Sequence, residues 1–105
     1  MNKPKVIFVR HPSYKEYALV HPRDMVVPLN IAYPASLLTK NGYDVEVVDN
    51  VVEGLSFEEL CGRISDKKGD IIFIEATTPN AEHLEKLGFA LKSKARHIKA
   101  IIAMG

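Results

Sequence analysis

Apolar residues in this chain fall into short β-branched runs separated by longer amphipathic stretches. Residues 5–10, KVIFVR, form a continuous apolar run without alternation, the pattern of a strand covered on both faces. Residues 29–40, LNIAYPASLLTK, carry Leu29, Ala32, Tyr33 and Leu37 on one helical face and run into Asn41-Gly42, a C-terminal stop. Pro34 breaks this pattern: a proline inside a helix removes a ladder hydrogen bond, so a kink or a later helix start is expected. Residues 44–48, DVEVV, alternate as a strand nearer a sheet edge does, and end at Asp49-Asn50. Ser56 opens a second helix, with Glu59 completing a capping box and Lys67, Lys68 and Gly69 closing it. A third strand is predicted over 70–76, DIIFIEA, and a third helix over 81–97, with Leu84, Leu87, Ala90, Leu91 and Ala95 on one stripe. Residues 99–103, KAIIA, are the fourth strand.

The order βαβαβαβ specifies an α/β fold with right-handed crossovers and a parallel sheet. The expected architecture is a flavodoxin-like, Rossmann-like three-layer domain with strand order 2-1-3-4 and the fifth strand missing. Its fourth strand would then be an uncovered apolar edge, so a homodimer, or an exchange of elements between copies, through that edge is expected. Ligands of such sheets bind at the carboxyl ends of the strands, where strand order reverses. Here that means residues 11–28, 49–55, 77–80 and the positions after 103.

Composition narrows the function. At 105 residues and 47% hydrophobic, the chain can bury one core. Fourteen Lys plus Arg against thirteen Asp plus Glu, with no run of one sign, offer nothing to nucleic acid or an anionic membrane. The lone Cys61 excludes a disulfide framework and a cysteine-held metal centre. The apolar run near the N-terminus is too short for a signal peptide or a membrane span, so a cytoplasmic protein is expected.

Candidate chemistry lies at the strand ends. The eighteen residues 11–28 include three prolines and two tyrosines but no glycine, which excludes a GxGxxG turn and a Walker loop after strand one. Without those glycines, Asp49 is a capping aspartate rather than a ribose ligand. A phospho-acceptor receiver is excluded because Glu75 has no acidic partners at the strand-one end to hold magnesium. Thr77, Thr78, Pro79 and Asn80 would cap the third helix and also wall a polar ligand site. Glu75, in an apolar strand, needs pairing with Arg10 or a loop lysine, or else a ligand. His83 and His97, at the ends of the third helix, are expected on the solvated surface; His11 and His21 lie in the long loop on the ligand side.

KVIFVRHPSYKEY, VVPLNIAYPASLLTKNGYDVEVVDN, GLSFEEL, DIIFIEATTPN and KAIIAMG together resemble, in order and over essentially the whole chain, the N-terminal cobalamin-binding domain of cobalamin-dependent radical S-adenosylmethionine enzymes. His11-Pro12 takes the place of that family's Asn-Pro, Pro28-Leu29 begins its first-helix signature, and Ala76-Thr77-Thr78-Pro79 matches its strand-three segment. Met104-Gly105 stands where its Gly-Gly begins. Asn30, Pro34 and Glu75 stand where the family has Gly, Leu and Ser.

The resemblance implies a cobalamin (vitamin B12) corrin across the strand ends, bordered by His11, Pro12, Ser13, Tyr14, Asp49, Glu75, Thr77, Thr78, Pro79, Asn80 and Gly105. No Asp-x-His-x-x-Gly motif is present, so base-off cobalamin without a protein histidine ligand is expected. The CxxxCxxC of the radical chemistry is absent. A [4Fe-4S] cluster and S-adenosylmethionine would therefore belong to a radical domain elsewhere in a parent chain, and no activity is expected from these residues alone. A nucleotide- or flavin-binding module and a purely self-associating remnant are the alternatives.

Overall fold

The computed structural model describes residues 3–10, 29–75 and 81–104. Its elements are β1 (Lys5–Arg10), α1 (Leu29–Lys40), β2 (Asp44–Asp49), α2 (Asn50–Glu53), α3 (Phe57–Asp66), β3 (Ile71–Glu75), α4 (Ala81–Lys94) and β4 (Ala100–Met104). The strands form one parallel sheet in the order β2-β1-β3-β4, the flavodoxin-like arrangement that the strand–helix alternation predicts. The short turn of helix α2 is absent from the sequence reading, and α4 ends three residues earlier than its apolar stripe suggested.

Strand alternation divides the core in two. On one face, Leu60, Cys61 and Ile64 of α3 and Leu87 and Leu91 of α4 bury Ile7, Val9, Val48, Ile72 and Ile74. On the other, Ile31 and Ala35 of α1 cover Val6 and Phe8, with Tyr43, Val45, Phe73 and Met104 packed around them. The Phe8 and Phe73 rings stack with centroids 5.1 Å apart.

Helix α1 presents the opposite stripe from the one expected. Tyr33 is 74% and Leu37 54% exposed, whereas Ile31 and Ala35 are buried. The smaller i, i+4 pair lets the helix lie close to the two stacked rings, and Tyr33 keeps its hydroxyl in water. Pro34 leaves the helix start at Leu29. Burying Ile31 recovers about 2–3 kcal/mol, of the order of the ~3 kcal/mol that an internal proline costs.

Helix α3 forms as the capping box requires. The Glu59 amide donates to Ser56 Oγ at 3.2 Å, and the Ser56 amide donates to Glu59 Oε1 at 3.1 Å. Gly69, after that helix, is buried, and a Cβ there would stand 2.5 Å from Ile7 Cδ1 and 2.8 Å from Ile7 Cγ1, so a larger residue would have to displace the buried Ile7 side chain.

At the amino ends, Asp70 ties strands together: its carboxylate accepts the Lys5 amide at 2.8 Å, and its carbonyl accepts the Lys99 amide at 2.7 Å. Beside it, Glu46 on edge strand β2 takes Lys5 Nζ at 2.6 Å and Lys67 Nζ at 2.9 Å. The hydrogen bond from Lys5, then that from Lys67, holds the Glu46 carboxyl below the usual carboxylate range. A depressed carboxyl stabilises the fold above its unfolded value, about 4.3, and loses that contribution as pH falls through the folded value. Glu46→Gln should therefore lower the melting temperature near about pH 7, with the gap to wild type closing below about pH 4. A gap that stays constant across that range would show that the ion pairs contribute nothing.

Candidate functional site

Parallel sheets of this order open a crevice where β1 and β3 diverge to opposite neighbours, at their carboxyl ends. The last residue of β1 is Arg10 and the last of β2 is Asp49, and the register sets them side by side. Arg10 Nη1 lies 3.3 Å from Asp49 Oδ2, with the two side chains only 11% and 12% exposed. An ion pair this dry persists because each partner offsets the other's desolvation. Asp49 is thus an ion-pair partner of Arg10, and it also directly precedes α2, the position in which a capping aspartate stands.

Glu75 ends β3, in register with Met104. Its Oε2 accepts from Asn30 Nδ2, in the first turn of α1, at 3.1 Å. Of the partners expected for Glu75, Arg10 pairs with Asp49, the in-register residue of its neighbouring strand, while the α1 carboxamide of Asn30 reaches Glu75; a loop lysine lies outside the described residues. Arg10, Asp49 and Glu75 all follow the parity of Phe8, Val47 and Phe73, so they line the α1 side of the sheet. One guanidinium, one carboxamide and two carboxylates give this mouth both donors and acceptors for a polar ligand.

His11, Pro12, Ser13, Tyr14, His21, Thr77, Thr78, Pro79, Asn80 and Gly105 lie outside the described residues. His97 corrects its expected solvated position: it is half-buried, and its Nε2 is buried without a hydrogen-bond partner. It lies past the end of α4, in the turn that the Ile98 amide closes on the Ala95 carbonyl at 3.1 Å. Cys61 is buried in the core, and burial pushes its thiol up, which makes it a packing residue. Among the described residues, no three His, Cys, Asp or Glu side chains gather as a metal site.

Three residues at this end carry roles that the sequence reading did not assign. Arg10 and Asn30 are the partners just described. Asn50, 1% exposed, closes the β2-to-α3 turn: its Nδ2 donates to the Leu55 carbonyl at 3.1 Å, and its Oδ1 accepts the Leu55 amide at 2.7 Å. The signal available was an Asn at a strand end followed by Gly54, which sits at φ 64° in the left-handed region that glycine favours.

No helix among the described residues is long and apolar enough to cross a membrane. No protein-family model matches the chain, and neither a curated protein nor a solved structure matches it.

Proposed function

We propose that the chain is a corrinoid-binding module that presents cobalamin rather than turning over a substrate by itself. The observation that carries this reading is the polar mouth at the β1/β3 switch point, built from Arg10, Asp49, Asn30 and Glu75. Residues 11–28 and 76–80, which hold the motif residues of the resemblance, follow Arg10 and Glu75 in the sequence. The donor set fits the group: a corrin carries carboxamide side chains around its rim, which both donate and accept, and Asn30 and Glu75 offer both functions. His11, Pro12, Ser13, Tyr14, Thr77, Thr78, Pro79, Asn80 and Gly105 complete the proposed border. The cobalamin is base-off, without a protein histidine on cobalt. A radical S-adenosylmethionine domain with its [4Fe-4S] cluster is the proposed neighbour in a parent chain, and the cytoplasm, where a free thiol such as Cys61 persists, is the proposed compartment.

Gel filtration after mixing with hydroxocobalamin tests this directly. Coloured corrinoid should co-elute with the protein in about equimolar amount, the occupancy of one site by a tightly held cofactor. Protein that elutes colourless overturns the reading, and retention of flavin mononucleotide or ATP instead moves the module to the flavin or nucleotide class.

The self-associating reading is favoured by β4, an edge strand without a charged residue on which Ile102 is 42% exposed. Such an edge pairs readily with a second copy. An Ile102→Lys variant sets like charges against each other across that pairing.

A further inference from the structure

The surface of α4 beside β4 has a pattern that the corrinoid site does not use. Glu85, Gly88, Phe89 and Lys92 fall at i, i+3, i+4 and i+7, one continuous stripe along the helix. Together with Ile101 of β4 they line an open groove of about 260 Å³. A second hollow, lined by Phe57, Glu85, Lys86 and Phe89, adjoins it. Phe89 is 70% exposed, and Phe57 adds to the same apolar patch at 37%. Neither Glu85 nor Lys92 has an ion-pair partner among the described residues.

This stripe is complementary to itself. A twofold axis through its midpoint, between Gly88 and Phe89, runs two copies of α4 antiparallel. It sets Glu85 of each against Lys92 of the other, and each Phe89 ring over the other copy's Gly88. That exchange of one patch for the same patch is what a closed symmetric dimer needs. Gly88 supplies a second observation: a Cβ there would meet nothing within 4 Å, and its φ is not in the left-handed region. A mid-helix glycine is intrinsically unfavourable, and among the described residues nothing packs where its side chain would be, which leaves room for an aromatic ring from outside.

We propose that α4 is a homodimer interface whose occupant is a second copy of this chain, seated by Phe89 in the Gly88 hollow and oriented by two Glu85–Lys92 pairs. The inference rests on the self-associating reading only for the existence of a second copy, and places the contact on α4 rather than on the β4 edge alone.

Sedimentation velocity over a dilution series is the test. The wild-type chain should dimerise. Glu85→Lys and Lys92→Glu should each raise the dimer Kd about tenfold or more, because each turns two attractive contacts into like-charge ones. The double swap E85K/K92E should return the Kd close to the wild-type value, with circular dichroism reporting that each variant is folded. Gly88→Ala should weaken the dimer while leaving the melting temperature of dilute monomer unchanged or raised. A chain that stays monomeric at every concentration overturns the inference and the self-associating reading together. A dimer broken by Ile102→Lys but indifferent to both charge reversals overturns the α4 contact and leaves the edge pairing standing, and a swap that fails to restore the dimer overturns the Glu85–Lys92 pairing.

Discussion

Phe8→Ala should cost the fold about 3–5 kcal/mol, the largest loss expected of any single truncation here. Phe8 is 1% exposed, sits in the middle of β1 between Val47 and Phe73, and lies under Ile31 and Ala35 of α1. Its ring stacks on Phe73, which adds about 0.5–1.5 kcal/mol to the area that it buries. The α1 face has few other large buried side chains, so little can collapse into the void. A domain of this size holds about 5–15 kcal/mol in total, so the variant would sit near its unfolding threshold. Urea denaturation provides the measurement, with Val47→Ala on the same face as reference; Val47 is 38% exposed and should cost far less. If Phe8→Ala lost no more than Val47→Ala, α1 would not be docked on the sheet as described.

The same residues show what the sequence could and could not reveal. β1 and β3 were legible because strands covered on both faces need continuous apolar runs, and the regular strand–helix alternation pointed to a parallel sheet, for which the flavodoxin-like order 2-1-3-4 was the expectation. Helix α3 was legible because Ser56 and Glu59 cap it locally. The buried face of α1 was not. Two stripes of similar apolarity run along that helix, and the choice between Ile31 with Ala35 and Tyr33 with Leu37 is made by the Phe8–Phe73 stack, a contact outside the helix. The mouth of the site was half legible. Glu75 stood out as a charge in an apolar strand, but its partner Asn30 lies 45 residues away. The Arg10–Asp49 pair becomes visible only once both residues are known to end neighbouring parallel strands.

Asn50→Ala should cost about 1–3 kcal/mol, because it removes a buried carboxamide whose donor and acceptor close the turn through part-buried hydrogen bonds to Leu55. The Leu55 amide and carbonyl both depend on the Asn50 carboxamide, and Gly54 is already committed to a left-handed φ that sets the turn's path. Leaving a buried polar group without its partner costs about 1–3 kcal/mol, and the partly buried Leu55 amide and carbonyl together should come within that range, above the loss of a typical surface contact. Asn50→Asp should not rescue it at neutral pH. The carboxylate still accepts from the Leu55 amide but turns an oxygen, not an N–H, toward the Leu55 carbonyl. Burial would raise that new carboxyl above its unfolded value, so the deficit should be largest above the raised value and shrink as pH falls and the proton returns a donor. The consequence reaches the site, because Asn50 directly follows Asp49, and a loosened turn lets Asp49 drift from Arg10. Corrinoid retention should therefore fall in Asn50→Ala even at temperatures where the variant is fully folded. Unchanged urea midpoints in Asn50→Ala would remove the turn from this account, and unchanged retention in a destabilised variant would separate the turn from the mouth it adjoins.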